Sequence, residues 1–323
     1  MWLALALFVA ALGQASVFSM RWDCFDFYQF WAVGQAAHEP GTGNVWSSDE
    51  RLRLGQEWAR RAASEQGPQS ADPSQRRGLA ASRRQDLETY STPWLYTLFG
   101  WTASGDYDTD LSRFQHAGLV LFALTLVGLA RLAGLSWSAG ALLVAFLLTF
   151  FAPTLSDMRV GNVNRLQLAA IAGVVLVGAR RGAWQFAAGF LLGLSVMFKP
   201  NLAYCALALG AGWLVLGRWQ RLARQVPAAL VGAAAAFALS SHWFGGASAW
   251  SDWSRVLGEL MGEYDHALSK GNLALVRLLE DAGLGAAGTI VTVLLAGALA
   301  AVLVVRRRAR AEADPLEDLA LVG

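Results

Sequence analysis

The sequence predicts an all-α polytopic membrane protein, a bundle of about eight transmembrane helices with a large first extracytoplasmic loop. Composition is the first observation: 55% of the 323 residues are hydrophobic and only 15% are charged. Soluble domains carry about 25% charged residues, so this chain has too little polar surface for a water-exposed globule. Its 14 Trp and 16 Phe also exclude an intrinsically disordered chain, because disordered chains are poor in aromatics.

Apolar runs are the second observation. A spanning helix needs about 20 mostly apolar residues, and the chain holds eight runs of nearly that length, of which the fourth, fifth and sixth are shorter. Each is predicted to be a helix, because hydrocarbon requires every backbone group to be paired within the segment. The runs are Trp2 to Phe18, Gln115 to Ala133, Trp137 to Leu155, Leu166 to Ala179, Ala183 to Phe198, Asn201 to Leu216, Gln225 to Phe244 and Leu284 to Val305.

Arginine placement is the third observation and predicts the orientation. The positive-inside rule puts arginine-rich short connections in the cytoplasm, so both termini, with the tail 306–323, are expected on the cytoplasmic side of the plasma (inner) membrane. A cleaved signal peptide is an alternative for the first run and would leave seven spans. Arginines follow each even-numbered run, at Arg131, at Arg180 and Arg181, at Arg218, Arg221 and Arg224, and at Arg306, Arg307, Arg308 and Arg310.

Two long segments lie outside the predicted spans of this single transmembrane domain, and both are expected on the extracytoplasmic face. The first, 21–114, is too long for a connector and is therefore predicted to be functional. Within it, Trp22 to Ala37 is rich in aromatics and is predicted to form an interfacial helix, and Asp49 to Glu65 a charged helix. The second long loop is 242–283, and Ala152 to Arg165 is predicted to be a short polar loop.

Two acidic residues stand just beyond the first predicted span. Asp23 and Asp26 are three residues apart, so on a helix they share one side. A carboxylate at the membrane boundary can act as a general base, which makes Asp26 a candidate catalytic residue and Asp23 a candidate substrate ligand. The alternative is that both only mark the exit of the chain from the membrane.

Cations that could bind phosphate are predicted at the same face. Lys199 ends an apolar run in a chain where only it and Lys270 are lysines among 26 basic residues. Arg159, Arg165 and Arg277 are the candidate partners, because arginine binds phosphate through two parallel hydrogen bonds. Snorkelling of Lys199 to the interface is the alternative that needs no ligand.

Other polar residues carry weaker signals. Asp106, Asp108 and Asp110 alternate, but they do not continue into a metal-binding loop, so no metal is expected. His242 is either an interfacial residue or a substrate ligand. The sequence holds no Walker motif and no Rossmann glycine pattern, so no cofactor is expected, and the net charge of +2 gives no reason to expect a nucleic-acid partner.

Five short motifs together resemble glycosyltransferase family 87. The resemblance implies a GT-C-like bundle and a polyprenol-phosphate-mannose-dependent mannosyltransferase. It extends from about Asp23 to Arg277 and covers most of the chain. The motifs are DFYQFWAVGQAA at 26–37, YSTPW at 90–94, GNVNRLQLAAI at 161–171, AAGFLLGLSVMFKPN at 187–201 and GNLALVRLL at 271–279.

The resemblance also implies roles for single residues. Asp26 matches the catalytic base of the first outer loop, and Lys199 matches the lysine that closes a glycine-rich helix. Tyr90 and Asn164 match further family positions. Where the family has Gln this chain has Asn162, and the family's Asn-Gln-Ser near the end is Asn272-Leu273-Ala274 here.

The expected function is an inverting transfer of a hexose, with mannose the favoured sugar, from a polyprenyl-phosphate donor to a lipid or glycan acceptor at the extracytoplasmic face. Membrane lipids and these two substrates are the expected partners. A transporter or flippase for lipid-linked sugars and a non-catalytic cell-envelope assembly protein are the alternatives. Asp26 is the predicted base, and the predicted substrate ligands are Lys199, Arg159, Asn164, Arg165, Tyr90, Asn272, Arg277, Asp23 and His242.

Overall fold

The computed structural model describes residues 1–65, 75–180 and 182–263, together with positions 283 and 290–291. Within these ranges the chain is all-helical, as the sequence predicts, and no strand occurs in them. The last predicted span, except for 290–291, and the tail 306–323 lie outside the described residues. The helices are α1 (Trp2–Ser19), α2 (Phe25–Ala36), α3 (Ser48–Glu65), α4 (Gln75–Arg83), α5 (Pro93–Thr102), α6 (Tyr107–Leu132), α7 (Trp137–Phe150), α8 (Ala152–Val160), α9 (Asn164–Gly178), α10 (Ala183–Phe198), α11 (Leu202–Val215), α12 (Trp219–Trp243) and α13 (Ser248–Glu263).

Helix length divides the apolar helices into two groups. Among the described residues, α1, α6 and α12 are long and apolar enough to span a membrane, and the pair α7 and α8, bent by 60°, would make a fourth span. By contrast α9, α10 and α11 have 15, 16 and 14 residues, fewer than the roughly 20 that a straight span needs. The chain is therefore a polytopic helical membrane protein.

The segment predicted as a polar loop after the third apolar run is mostly helical. Helix α8 begins directly after Phe151, and Pro153 stands in its first turn, where its missing N–H costs no hydrogen bond. Gly161 ends the helix with φ of 72°, a conformation that glycine adopts without a steric penalty. The prediction of a loop over Ala152 to Arg165 was wrong because this helix is short and its polar residues show no clear period.

Close backbone contacts fix the directions of the apolar helices. A Cβ on Gly189 of α10 would collide with the backbone of Gln225 in α12, and a Cβ on Gly193 would collide with the backbone of Ala229. Both residue numbers increase in the same direction along the contact, so the two helices run parallel. Helix α9 runs antiparallel to α10, since Gly178, its last residue, lies beside Ala188 near the start of α10. Parallel helices that approach this closely require glycine at the contact.

Two hydrogen bonds extend this arrangement to the other long helices. The Tyr107 hydroxyl at the start of α6 donates to the Asp23 carbonyl just after α1 (2.6 Å), and Arg165 in α9 donates to Gln115 in α6 (2.7 Å). Helices α1, α10 and α12 therefore end, and α6 and α9 begin, at one end of the bundle, called here the polar end. Arg131, at the end of α6, lies at the opposite end, in agreement with the alternation of arginine along the sequence.

Helices α2 to α5 and α13 pack at the polar end of the bundle. Together with it they enclose the largest cluster of buried hydrophobic residues. Helix α2 is its centre: Phe27, Tyr28 and Trp31 are each at most 2% exposed. The sequence prediction of an interfacial helix placed this helix correctly along the chain but expected more exposure. It is buried because α4, α5 and α6 contact it, and the Trp31 indole donates to the buried Asp110 (3.0 Å).

Candidate functional site

The turn between α1 and α2 presents the two acidic residues at the polar end. Its central residue, Cys24, has left-handed backbone angles (φ 50°), which a non-glycine residue adopts only where its surroundings fix it. The Tyr107 hydroxyl, bonded to the Asp23 carbonyl, supplies part of that fixation. Burial raises the pKa of the Cys24 thiol to about 12, so this cysteine is a packed, protonated residue and no nucleophile.

Asp26 is held by one cationic and one neutral donor. The Arg84 guanidinium donates to one carboxylate oxygen (2.9 Å), and the Asn162 amide donates to the other (2.8 Å). The Asp26 side chain keeps 19% of its surface exposed. An ionised carboxylate offers about four lone-pair positions, so these two hydrogen bonds leave Asp26 able to accept another hydrogen.

Arg84 and Asn162 were not among the predicted site residues. Arg84 follows the end of α4 and also packs against the Phe25 ring, with its guanidinium 4.8 Å from the ring centre. Its partnership with Asp26 depends on α4 folding back onto the turn after α1. The sequence signal for Asn162 was its position beside Asn164 in a family motif, where it replaces Gln.

Asp23 pairs with the arginine next to Arg84. The Arg83 guanidinium lies 3.2 Å from the Asp23 carboxylate, which is 8% exposed, while the Arg83 side chain is 60% exposed. Consecutive arginines at the end of α4 thus neutralise both acidic residues of the turn. Asp23 is more buried than Asp26, and its carbonyl accepts from Tyr107. This makes Asp23 the better packed of the two.

Lys199 lies directly after α10 and within electrostatic range of Asp26. Burial lowers the pKa of the Lys199 ammonium, and the Asp26 carboxylate counteracts part of that shift. The ammonium nitrogen is 6.0 Å from the centre of the Phe30 ring of α2. The preceding carbonyl, of Phe198, accepts a hydrogen bond from the Thr92 hydroxyl (3.1 Å), which attaches this end of α10 to the start of α5.

Arg165 is in a buried network instead of an accessible site. Its Nε donates to Asp157 (2.6 Å) and a terminal nitrogen donates to Gln115 (2.7 Å), and both charged side chains are at most 4% exposed. The Gln115 amide in turn donates to the Met158 carbonyl (2.9 Å). This arrangement joins α6, α8 and α9, and its burial argues against the phosphate-binding role predicted for Arg165.

The remaining predicted ligands in this part of the chain are dispersed around the polar end. Arg159 is exposed, with its guanidinium 5.4 Å from the Trp22 ring. Asn164 begins α9, and its side chain is exposed. The half-buried Tyr90 accepts at its carbonyl a hydrogen bond from Trp253 of α13 (3.1 Å).

His242 is placed apart from Asp26, in the last turn of α12, where it lines a separate cavity near the end of α2. The structure therefore does not group this predicted ligand with the Asp26 carboxylate. The predicted ligands Asn272 and Arg277 lie outside the described residues.

The alternating acids Asp106, Asp108 and Asp110 each have a protein partner. Asp106 caps α6 by accepting from the Thr109 amide (2.7 Å), Asp108 pairs with Arg76 (3.2 Å), and Asp110 accepts from Trp31 and Ser104. Across the described ranges, no group of three or more His, Cys, Asp or Glu side chains could hold a metal ion. These acids therefore stabilise the start of α6 and its packing against α2 and α4.

An apolar cavity of about 390 Å³ is formed by residues of α2, α5, α6, α9 and α10 at the polar end. Phe27 and Phe198, the sequence neighbours of Asp26 and Lys199, line it, whereas Asp26 and Lys199 themselves do not. Phe99 of α5, Phe114 of α6 and Leu166 of α9 also contribute to its wall. A charged site next to an apolar cavity suits a ligand with a polar head and a hydrocarbon chain.

The fold and this site define a polytopic helical membrane protein with a carboxylate, cations and an apolar cavity at one end. The chain belongs to glycosyltransferase family 87, whose family model matches residues 92–323, and it is therefore a membrane glycosyltransferase. No curated protein and no solved structure matches the chain significantly. Asn162 and Lys199 lie within the matched residues, whereas Asp26 and Arg84 precede them.

Proposed function

We propose that this protein transfers a hexose, specifically mannose, from a polyprenyl-phosphate donor to a lipid or glycan acceptor at the extracytoplasmic face of the plasma membrane. The observation that carries the proposal is the group formed by Asp26, Arg84, Asn162 and Lys199 beside an apolar cavity. Family membership supplies the reaction class, glycosyl transfer. The orientation rests on the arginines at the opposite end of the bundle.

Asp26 acts as the general base in this mechanism. Its carboxylate takes the proton from an acceptor hydroxyl while the hydroxyl oxygen attacks the anomeric carbon of the donor sugar. The bond from that carbon to the phosphate oxygen breaks, and polyprenyl phosphate leaves. Attack on the face opposite the leaving phosphate inverts the anomeric configuration.

Arg84 and Asn162 position the base in two ways. Their hydrogen bonds orient the carboxylate, and the positive charge of Arg84 stabilises its ionised form. Because each bond occupies a different oxygen, one lone pair on each oxygen stays available for the acceptor hydroxyl. The base is thus oriented before the acceptor binds, which reduces the reorganisation needed during the reaction.

Cations stabilise the leaving phosphate. Lys199 contributes an ammonium whose burial strengthens its interaction with an anion, because the local dielectric is lower than that of water. Arg159 is exposed at the same end of the bundle and can reach an anionic head group from solvent. The apolar cavity, with phenylalanines contributed by α2, α5, α6 and α10, accommodates the first part of the polyprenyl chain.

The deciding experiment measures transfer of radiolabelled mannose from synthetic polyprenyl-phosphate-mannose by detergent-purified protein. Asp26→Asn is expected to lose roughly 100-fold to 10,000-fold in turnover, because it removes the base and nearly preserves its shape. Asp49→Asn, at an exposed aspartate in the first turn of α3, is the matched control and should retain full activity. Full activity of Asp26→Asn would exclude Asp26 as the base.

A wild-type protein that transfers no sugar from any lipid-linked donor, across a panel of acceptors, would contradict the proposed donor. Binding of the lipid-linked sugar without transfer would instead favour the transporter. Measuring donor binding beside transfer in each variant therefore separates the two outcomes.

A further inference from the structure

A second cavity, of about 510 Å³, lies where the C-terminal ends of α2 and α12 meet. Its volume is typical of sites for small organic molecules, which enclose about 300–1,000 Å³. His38 follows α2, His242 and Trp243 end α12, and Trp46 and Asp252 complete the wall. The mechanism proposed for Asp26 uses none of these residues.

The wall of this cavity is fixed by contacts between its own elements. The Asn44 amide donates to the Asp252 carboxylate (2.9 Å), which joins the loop before α3 to α13. The His38 ring stands edge-on to the Trp243 ring with their centres 3.9 Å apart, and the Trp46 and Phe244 rings are 4.8 Å apart. These contacts between α12, α13 and the segment from His38 to Trp46 therefore fix the shape of the cavity.

The chemistry of the wall matches one class of ligand. A hexose has hydroxyls that both donate and accept, and it has apolar C–H faces that pack against aromatic rings. The cavity offers the acceptor Asp252 and the two exposed imidazoles His38 and His242, whose ring nitrogens can donate or accept. Its walls also include tryptophan and phenylalanine rings, so polar and aromatic groups are interleaved around one space.

We infer that this cavity is a carbohydrate-binding subsite that holds a neutral hexose unit of a glycan acceptor. The inference rests on the proposed function for the identity of the acceptor, but the subsite can be tested without any transfer reaction. It gives His242, a substrate ligand predicted from the sequence, a place in acceptor recognition away from the donor phosphate.

The subsite lies at the other end of α2 from Asp26. Eleven residues separate Asp26 from Ala37, which lines the cavity, and a helix rises about 1.5 Å per residue. The two positions are therefore roughly 16 Å apart along the helix, more than one hexose ring. The sugar in this cavity is accordingly a different unit of the acceptor from the one that reacts.

The test is a titration of detergent-purified full-length protein with methyl α-D-mannopyranoside and methyl β-D-glucopyranoside, followed by saturation-transfer NMR. Sorbitol, which lacks the ring, is the ligand control. Wild type is expected to bind at least one hexoside saturably. His38→Ala and His242→Ala each remove one hydrogen-bonding group of the cavity wall and should weaken binding roughly 3-fold to 10-fold. Trp184→Phe, near the opposite end of the bundle, is the control.

Thermal stability supplies a second measurement for the same variants. Because both imidazoles are exposed, their removal should leave the melting temperature without hexoside nearly unchanged. A purely structural role predicts the opposite result, a lower melting temperature and unchanged hexoside binding, and that result would overturn the subsite. No saturable binding by wild type would overturn it as well.

Asp26→Asn separates this inference from the proposed function. Hexoside binding should persist in Asp26→Asn, because the cavity is remote from Asp26, even though transfer is lost. If His38→Ala and His242→Ala bind hexoside like wild type while Asp26→Asn loses transfer, the subsite is wrong and the proposed function stands. If these variants lose hexoside binding and the wild type transfers no sugar, the subsite stands and the proposed function is wrong.

Discussion

Two of the aspartate–arginine pairs at the polar end of the bundle differ in burial. In the pair Asp157 and Arg165 the side chains are 4% and 3% exposed, whereas in the pair Asp26 and Arg84 they are 19% and 15% exposed. The donor and acceptor are as close in the second pair (2.9 Å) as a good hydrogen bond requires. Solvent access, rather than ion pairing itself, therefore distinguishes the candidate functional carboxylate Asp26 from the structural carboxylate Asp157.

The two pairs are bonded to a similar extent, because each carboxylate accepts one hydrogen bond at each oxygen. Asp157 accepts from Arg165 at one oxygen and from the Asn164 backbone amide at the other, while Arg165 also donates to Gln115. Two buried charges need such additional hydrogen bonds, because taking them out of water costs several kcal/mol for each ion. Asp26 remains partly exposed and keeps lone pairs for a substrate.

The largest expected effect comes from breaking the buried pair. Arg165→Met should destabilise the protein by about 3–5 kcal/mol, because it leaves the Asp157 carboxylate buried and unpaired. Thermal unfolding in detergent, followed by tryptophan fluorescence, measures this loss. The double variant Asp157→Leu with Arg165→Met removes both charges and should recover much of it. A stable Arg165→Met protein would show that the pair is not structural.

Breaking the accessible pair should instead affect turnover. Arg84→Gln removes a charged donor to Asp26, and hydrogen bonds to charged groups contribute about 1.5–3 kcal/mol, which corresponds to a loss of roughly 10-fold to 100-fold in transfer. The free energy of unfolding should change by less than it does in Arg165→Met, since this pair is less buried. Arg53→Gln, at a surface ion pair on α3, is the control. A large loss of stability in Arg84→Gln would remove the contrast between the two pairs.

A smaller effect is expected at the neutral donor of Asp26. Asn162→Ala deletes the amide that bonds one carboxylate oxygen, and a neutral hydrogen bond contributes about 0.5–1.5 kcal/mol, or roughly 3-fold to 10-fold in transfer rate. Asn162→Gln keeps the amide and introduces the residue that the family has there, so it should retain more activity than Asn162→Ala. Equal activity of Asn162→Ala and Asn162→Gln would contradict the role of Asn162 in positioning the Asp26 carboxylate.

The smallest expected effect is on the pH dependence of donor binding. Lysine is charged below its pKa, and burial lowers the Lys199 pKa, so donor binding should weaken at a lower alkaline pH than an ordinary lysine would give. Asp26 counteracts this shift, so Asp26→Asn should move the alkaline loss to still lower pH. Donor binding measured from neutral to alkaline pH tests this. Lys199→Arg stays charged and should abolish the loss.

The sequence predicted the apolar helices well because hydrophobic run length is a local property. It could not predict that α2 is buried, since a helix dense in Phe, Tyr and Trp looks the same at a membrane interface and under covering helices. The cover comes from α4 and α5, about 40 to 75 residues later in the chain. Burial of α2 is therefore a tertiary property.

The same limit applies to the arginines. Arg165 is one of two arginines between the third and fourth apolar runs, the sequence context of an anion ligand, and only the fold shows that Asp157 neutralises it. Arg84 lies 58 residues from Asp26, so no spacing rule connects them. The prediction of Asp26 came from its position just beyond the first span and from the family resemblance, and its catalytic role stays a prediction.

The backbone contact between α10 and α12 has a further consequence. Lys199 stands one residue after α10, and His242 one residue before the end of α12. Because Gly189 and Gly193 admit no side chain against α12, a slide of one helix along the other would drive larger residues into backbone. The two helices therefore fix the distance between Lys199, proposed to bind the donor phosphate, and His242, proposed to bind the acceptor. With these roles, the fixed distance would select acceptors by the number of sugar units that span it.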